Sequence, residues 1–167
     1  MTLGTITRKV ADLLRQRQRK IVFAESCTGG LVSATLARIP GISAWHCGSL
    51  VTYRNATKEA YLGIPSHVLE NPGAVSEEVA RWMAEGVLQK TPEADLSAAV
   101  TGHLGPGAPA ALDGVAYLAV GIRAGANGTP ELRVRQYVCR SLSRVARQRE
   151  VATQVLEFLA EELAALT

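Results

Sequence analysis

Ser26 and Cys27 stand side by side in Glu25-Ser-Cys-Thr-Gly-Gly30, after the apolar run Ile21-Val-Phe-Ala24 and before Leu31-Val-Ser-Ala-Thr-Leu-Ala-Arg38. A hydroxyl and a thiol where a strand gives way to a helix are both candidate nucleophiles. Free backbone N–H groups and the helix dipole at such a point favour an oxyanion or a phosphate. Thr28 belongs to the same turn, and Gly29 and Gly30 let the backbone approach a ligand closely. The plainer alternative is a turn in which a Ser or Thr caps the helix. Neither GxGxxG nor GxxxxGK[ST] occurs, so no dinucleotide or Walker-type site follows.

A second glycine-rich segment, Thr101-Gly-His-Leu-Gly-Pro-Gly107, follows the small-residue run Leu96-Ser-Ala-Ala-Val100. Two such loops at the ends of adjacent strands make a pocket at one edge of a sheet, suited to a small polar ligand with a phosphate or a carboxamide. Thr101, Gly102 and His103 are its candidate contacts, against the alternative of an ordinary tight connection. Tyr53 and Lys58 lie five residues apart beyond the end of another β-like run. A lysine held near a serine and partly desolvated acts as a general base, whereas most isolated lysines are solvated. His46, His67 and His103 are scattered and no HxxxH spacing appears, so a metal-centred mechanism is disfavoured. The basic stretch Arg15-Gln-Arg-Gln-Arg-Lys20 reads as a solvated helix end rather than a phosphate-backbone patch.

The elements that must position these groups are legible in outline. Ile6, Val10, Leu13 and Leu14 predict a helix over 5–18, and Ile21-Val-Phe-Ala24 a buried strand. A helix over 31–38 ends at Ile39-Pro-Gly-Ile42; a strand follows over 48–53, a short helix over 55–62 and another short one from Ile64-Pro-Ser. Asn71-Pro-Gly73 is a turn. Ser76 caps a long helix with Val75, Val79, Trp82, Met83 and Val87 as its inward stripe. Leu96–Thr101 is a buried strand. Val115–Gly121 and Leu132–Val138, joined through Gly125-Ala-Asn-Gly-Thr-Pro130, form an antiparallel hairpin whose second strand alternates as an edge. Val151, Val155, Phe158, Leu159, Leu163 and Leu166 mark a final helix from near Ser143. The expected architecture is α/β: one domain over 1–167, with a mixed sheet of about five strands and helices on both faces.

Composition fits that frame. Of 167 residues 47% are hydrophobic, 20% charged and 5% aromatic, which excludes a disordered chain and predicts an aliphatic core. Folding at this length buries roughly 70% of the unfolded surface, enough to enclose a site without disulfides. The net charge of +3, from 18 Lys+Arg against 15 Asp+Glu, demands no nucleic-acid partner. Cys27, Cys47 and Cys139 form no CxxC pair, which suits a reducing cytoplasm and no zinc framework. The first residues hold no apolar stretch long enough for a signal peptide or a membrane span, so neither is expected. A small chain this apolar suits a homo-oligomer, and nothing fixes a dimer over a trimer.

Ala24-Glu-Ser-Cys-Thr-Gly-Gly30, Gly48-Ser-Leu-Val-Thr-Tyr53 with Lys58, Gly73-Ala-Val-Ser76 and Thr101-Gly-His-Leu-Gly-Pro-Gly107, in this order, closely resemble the C-terminal domain family of the competence/damage-inducible protein CinA. That family includes stand-alone nicotinamide-nucleotide amidases, and the chain resembles the stand-alone form, without the molybdopterin-binding-like domain of longer relatives. The resemblance implies a three-layer α/β/α fold. It also implies hydrolysis of nicotinamide mononucleotide to nicotinate mononucleotide and ammonia, with no metal and no cofactor. By the same resemblance Ser26 matches the proposed nucleophile, Lys58 its base with Tyr53 close by, and Thr101 and Gly102 the pocket loop. Arg144 matches an arginine before the last helix. The chain departs from the family pattern at His103, at Ala108 where a glycine is usual, and at Leu142-Ser-Arg144 where Gly-Asp-Arg is usual. Ala108 would be strained if its position required φ > 0.

The mechanism this implies has Lys58 taking the Ser26 proton, backbone N–H groups around Thr28 and Gly29 holding the oxyanion, and Lys58 or Tyr53 returning a proton to departing ammonia. Arg144 and the Thr28-Gly-Gly30 turn are the candidate phosphate holders. Cys27 is a rival nucleophile, its thiol pKa lowered by the helix N-terminus. A nucleotide-binding relative that has lost catalysis is the rival from another class, motivated by His103 and Ala108. DNA binding has only residues 15–20 behind it.

Overall fold

Strand β1 (Ile21–Glu25) is buried along its whole length, and its alternating side chains feed two separate cores. Ile21 and Phe23 face one side, Val22 and Ala24 the other. The computed structural model, which describes residues 1–125 and 128–166, shows how the rest of the chain covers both faces. Helix α1 (Leu3–Arg17) precedes β1, and α2 (Leu31–Leu36) follows it. Next come β2 (His46–Val51), α3 (Asn55–Leu62), a single turn α4 (Ser66–Val68) and α5 (Glu77–Lys90). Then follow β3 (Leu96–Gly102), β4 (Val115–Ile122), β5 (Glu131–Val138) and α6 (Arg144–Ala165).

The five strands form one mixed sheet in the order β2-β1-β3-β4-β5. β1 is parallel to both β2 and β3, while β3–β4 and β4–β5 are antiparallel. On one face, Phe23, Ala98, Val100, Leu118 and Val120 pack against α1, α2 and α6. Phe23 is wholly buried there, and truncating it to Ala costs about 3–5 kcal/mol through lost contacts and the cavity left behind. On the other face, Val22, Ala24, Ala99 and Ala119 pack against Val79, Met83 and Val87 of α5. Small residues in β3 let α5 lie close, and the Ser97 hydroxyl donates to the Ala84 carbonyl at 2.7 Å. Gly86 serves the crossing of α3 and α5: a Cβ there would lie 2.4 Å from the Leu62 carbonyl oxygen.

Helix starts follow their capping residues. Thr2, Ser76 and Ser143 each accept a hydrogen bond from the amide three residues on, as the unsatisfied N–H groups of a first turn require. At the other end of α1 the basic stretch meets protein acceptors. Arg15 donates to the Pro40 carbonyl, Arg17 to that of Ala164, and Arg19 and Lys20 pair with Asp95 and Glu93.

Several details differ from the sequence reading, among them α2, which ends at Leu36 rather than Arg38. β2 runs over 46–51 rather than 48–53, because after the Thr52 amide donates to the Glu25 carbonyl at 2.9 Å the chain turns away from the sheet. The turn after Ile64 is helical only over 66–68, Pro65 being its extended N-cap. Val75 precedes α5 instead of lying on its inward stripe, and Leu166 is an extended residue beyond α6. The β4–β5 hairpin is as expected; of its expected connection, Ala126 and Asn127 lie outside the described residues. Among the described residues no helix is long and apolar enough to cross a membrane.

Candidate active site

The parallel pair β1–β3 brings both glycine-bearing loops to the same edge of the sheet. The Ser26 amide donates to the Val100 carbonyl, carrying the ladder one residue past β1 before the chain turns. Gly29 (φ 61°) and Gly30 (φ 98°) make that turn in a backbone region closed to most side chains. The Glu25 side chain then curls into the start of α2. It accepts from the Thr28 hydroxyl (2.7 Å), the amides of Gly30 and Val32 (3.0 and 3.1 Å) and the Ser33 amide (2.9 Å). The anion expected at this helix terminus is thus the chain's own buried carboxylate, which satisfies the orphan N–H groups. Thr28, Gly29 and Gly30, expected at the ligand, do not line the cavity described below. The Gly29 amide is committed to the Ser26 carbonyl.

Lys58 sits in the first turns of α3 and is 1% exposed, so it is not the solvated lysine that composition alone would favour. Its Nζ lies 2.9 Å from Ser26 Oγ, 2.9 Å from the Thr52 carbonyl oxygen and 3.3 Å from that of Tyr53. Burial pushes its pKa down to about 8, since no carboxylate lies near enough to offset the cost of a buried charge. In its neutral form the amine spends two N–H donors on the two carbonyls and keeps a lone pair for the serine hydroxyl. Tyr53 contributes its carbonyl to Lys58, while the residue as a whole is 55% exposed at the rim. Its phenol oxygen accepts from Arg144 Nη2 at 2.6 Å.

Arg144, at the start of α6, also donates to the Gly105 carbonyl at 2.6 Å and so ties the second loop to Tyr53. Behind it, Arg147 grips Asp113 through both nitrogens and donates to the carbonyls of Leu104 and Ser141. Gln148 donates to the carbonyls of Cys27 and Thr28. One face of the first turns of α6 therefore fastens both glycine loops and Tyr53. In the second loop the Thr101 hydroxyl donates to the Ala74 carbonyl, and the His103 amide and carbonyl extend the β3–β4 pairing to Val115 and Gly114. Gly102 has no room for a side chain against Ala116. Gly105 and Gly107 take positive φ, whereas Ala108 does not, so the strain considered for that alanine is absent.

These parts enclose a cavity of about 320 Å³ lined by Ser26, Cys27, Tyr53, Asn55, Lys58, Ala74, Val75, the 101–108 loop and Arg144. Its lining carries the Arg144 guanidinium and no carboxylate side chain, a balance that favours an anionic ligand. Cys27 is 4% exposed, and burial drives its thiol up to about 12, the reverse of the activation expected from the helix terminus. His46 packs edge-on against Phe23 and bonds Ser33, and His67 lies on the surface, so neither reaches the cavity. Asn55, Val75, Glu25 and Gln148 escape sequence reasoning as site residues. For Glu25 the signal was its invitation to cap, an acidic residue just ahead of a helix start.

A family model described as the CinA C-terminal domain matches residues 4–163. The chain belongs to that family. A CinA-like protein of Prochlorococcus marinus is 52% identical over 98 residues, which are 59% of this chain and 23% of that protein. One from Geobacter sulfurreducens is 44% identical over 124 residues, 73% of this chain and 30% of that protein. The chain thus spans less than a third of the length of these curated relatives. Among solved structures, the competence/damage inducible protein CihA from Agrobacterium tumefaciens superposes with a TM-score of 0.88 at 30% identity, over 97% of this chain and 95% of that one. A CinA-superfamily protein from Klebsiella pneumoniae gives 0.90 at 25% identity, over 99% of this chain and 100% of that one. The CinA fold is therefore shared nearly end to end with these structures.

Proposed function

We propose that this CinA-family protein is a nicotinamide-nucleotide amidase in which Ser26 is the nucleophile and Lys58 its base. The observation that carries the reading is the 2.9 Å contact between Lys58 Nζ and Ser26 Oγ, with the amine buried and its pKa near 8. Neutral Lys58 takes the Ser26 proton as Oγ attacks the carboxamide carbon. With the Gly29 amide already committed, the oxyanion falls to the amide of Cys27, which lines the cavity, such a donor being worth roughly 3–4 kcal/mol. Protonated Lys58 then gives its proton to the departing amine, which leaves as ammonia. Water, deprotonated by the same lysine, attacks the acyl-enzyme and restores Ser26 while releasing the carboxylate product. Arg144 is our candidate for the substrate phosphate, a reading supported by its place in the lining, where Gly105 and Tyr53 hold it. The substrate assignment rests on the family resemblance together with the cationic, carboxylate-free lining.

The deciding experiment is ammonia release from nicotinamide mononucleotide by the purified protein, with and without chelator, beside Ser26→Ala. Turnover that survives chelator and disappears in the variant supports the reading. A folded protein that binds the nucleotide without releasing ammonia replaces it with the binding relative, for which His103 in the loop would be the first residue to revert.

A further inference from the structure

A second cavity, larger than the one that holds Ser26, is present among the described residues. It lies between α1, α2 and α6, measures about 560 Å³, and shares no lining residue with the Ser26 cavity. Its apolar floor is formed by Leu3, Leu31 and Ile39, partly buried residues that pack on the core beneath. Around that floor stand Arg8, Arg38 and Arg149, one from α1, one just beyond α2 and one from α6.

The arginines elsewhere are used differently. Arg15, Arg17, Arg81, Arg123, Arg133, Arg135, Arg144 and Arg147 each donate to a protein carboxylate or carbonyl, and Arg19 pairs with Asp95. Among the described residues, side chains without an acceptor are those of Arg54 and Arg140 and the three that meet at this groove. Nor does a carboxylate line the groove. The threonines there are occupied too, since the hydroxyls of Thr7 and Thr35 donate to carbonyls of their own helices. Three guanidinium groups around one apolar surface repel one another and leave their forked donors to solvent. An anion that bridges them removes the repulsion and accepts paired hydrogen bonds.

We propose that this groove is a second ligand site, for a phosphomonoester with an apolar body: the body lies on Leu3, Leu31 and Ile39, and the phosphate is held by Arg8, Arg38 and Arg149. The site is independent of the amidase reading. It requires neither Ser26 nor Lys58, and occupancy stabilises the folded chain through binding linkage.

The probe is phenyl phosphate, titrated into isotope-labelled full chain while amide resonances are followed by NMR. The amides of Thr7, Leu31, Ala34 and Thr35 shift in a saturable way, and those changes are separate from any at the 101–108 loop. Phenol leaves them in place. The Arg8→Ala/Arg38→Ala/Arg149→Ala triple variant weakens the binding tenfold or more while shifts at the 101–108 loop persist. All three side chains are at exposed positions, and the single Arg38→Glu variant, expected to weaken binding in the same direction, covers the event that the triple variant does not fold. Absence of saturable shifts at these amides up to about 50 mM, far weaker than any specific site, overturns the proposal. So does equal binding by the variants, or a sedimentation profile in which the groove is closed by a second copy of the chain.

Discussion

Gln148 reaches back 120 residues to Thr28, its side-chain amide donating to that carbonyl at 3.2 Å and to the neighbouring Cys27 carbonyl at 3.3 Å. The turn that presents Ser26 is thus held from inside by Glu25 and from outside by α6. Gln148→Ala removes one support worth about 1 kcal/mol and lowers kcat roughly fivefold with KM unchanged. Gln148→Glu has nearly the same shape but sets a carboxylate against two carbonyl oxygens. Steady-state kinetics then show a larger loss of kcat for Glu than for Ala, an order that mere space-filling would not produce.

In the proposed mechanism Lys58 sets the pH response. Its pKa is lowered to about 8, so at neutral pH roughly one molecule in ten carries the neutral amine that accepts the serine proton. The pH profile of kcat/KM rises through about 8 and levels above it. Lys58→Ala lowers kcat/KM by roughly 10²- to 10⁴-fold and removes that limb.

Cys27 neighbours Ser26, the nucleophile proposed above. Buried and with a thiol pKa near 12, it holds no thiolate at neutral pH. Cys27→Ser retains turnover, and iodoacetamide at neutral pH leaves the enzyme active. Inactivation with alkylation mapped to Cys27 would move the nucleophile from Ser26.

Gly105 combines a left-handed backbone with crowding by charged side chains. Its φ is +66°, and a Cβ would lie 2.9 Å from Asp113 Oδ1 and 3.1 Å from Arg147 Nη1. Gly105→Ala costs about 1–3 kcal/mol of strain and pushes on the Arg147–Asp113 pair. Thermal unfolding drops by about 2–4 °C per kcal/mol for a chain of this size. Ala108→Gly, where no such φ is needed, leaves the melting temperature nearly unchanged.

Glu150 supplies a separate acid-sensitive anchor. Burial alone would raise its pKa. The hydrogen bonds it accepts from the amides of Arg140 and Ser141 and from the Tyr137 hydroxyl outweigh that, and hold it down at about 2. A carboxyl lowered in this way stabilises the fold at pH values above the ordinary carboxyl range and loses the contribution as pH falls through about 2. Glu150→Gln therefore melts below the wild type at neutral pH, and the gap closes progressively toward pH 2 in a series of thermal melts.

The sheet and its flanking helices were legible because periodicity reports burial directly. β1 is buried throughout, apolar up to Ala24, and lies between two other strands, while β5 alternates because one of its faces is open. The meeting of the two glycine loops followed from parallel neighbours ending at one edge. What periodicity could not show is direction. Glu25 turns inward to cap α2 because its carboxylate is the nearest acceptor for that helix's free amides, so the glycines beside it serve the turn rather than a ligand. Lys58 reads in sequence as any lysine of a short helix. Only the placement of Thr52 and Tyr53 carbonyls beside it turns a surface residue into a buried amine. Gln148 and Arg147 stand far along the chain from what they touch, and no local pattern marks them.

The way α6 clasps the site has a consequence for biosynthesis. Ser26 and Lys58 meet across 32 residues, but Arg144 joins Tyr53 across 91 and Gln148 joins Cys27 across 121. A nascent chain carries its serine and lysine long before the clasp that steadies them has been translated. Contacts of such long sequence separation form late, after the nearer pairings have already closed. A ribosome stalled between Val138 and Arg144 would therefore hold a chain with all five strands made and the cavity wall still missing. The time to translate that last helix is a built-in delay between making Ser26 and Lys58 and completing the cavity around them.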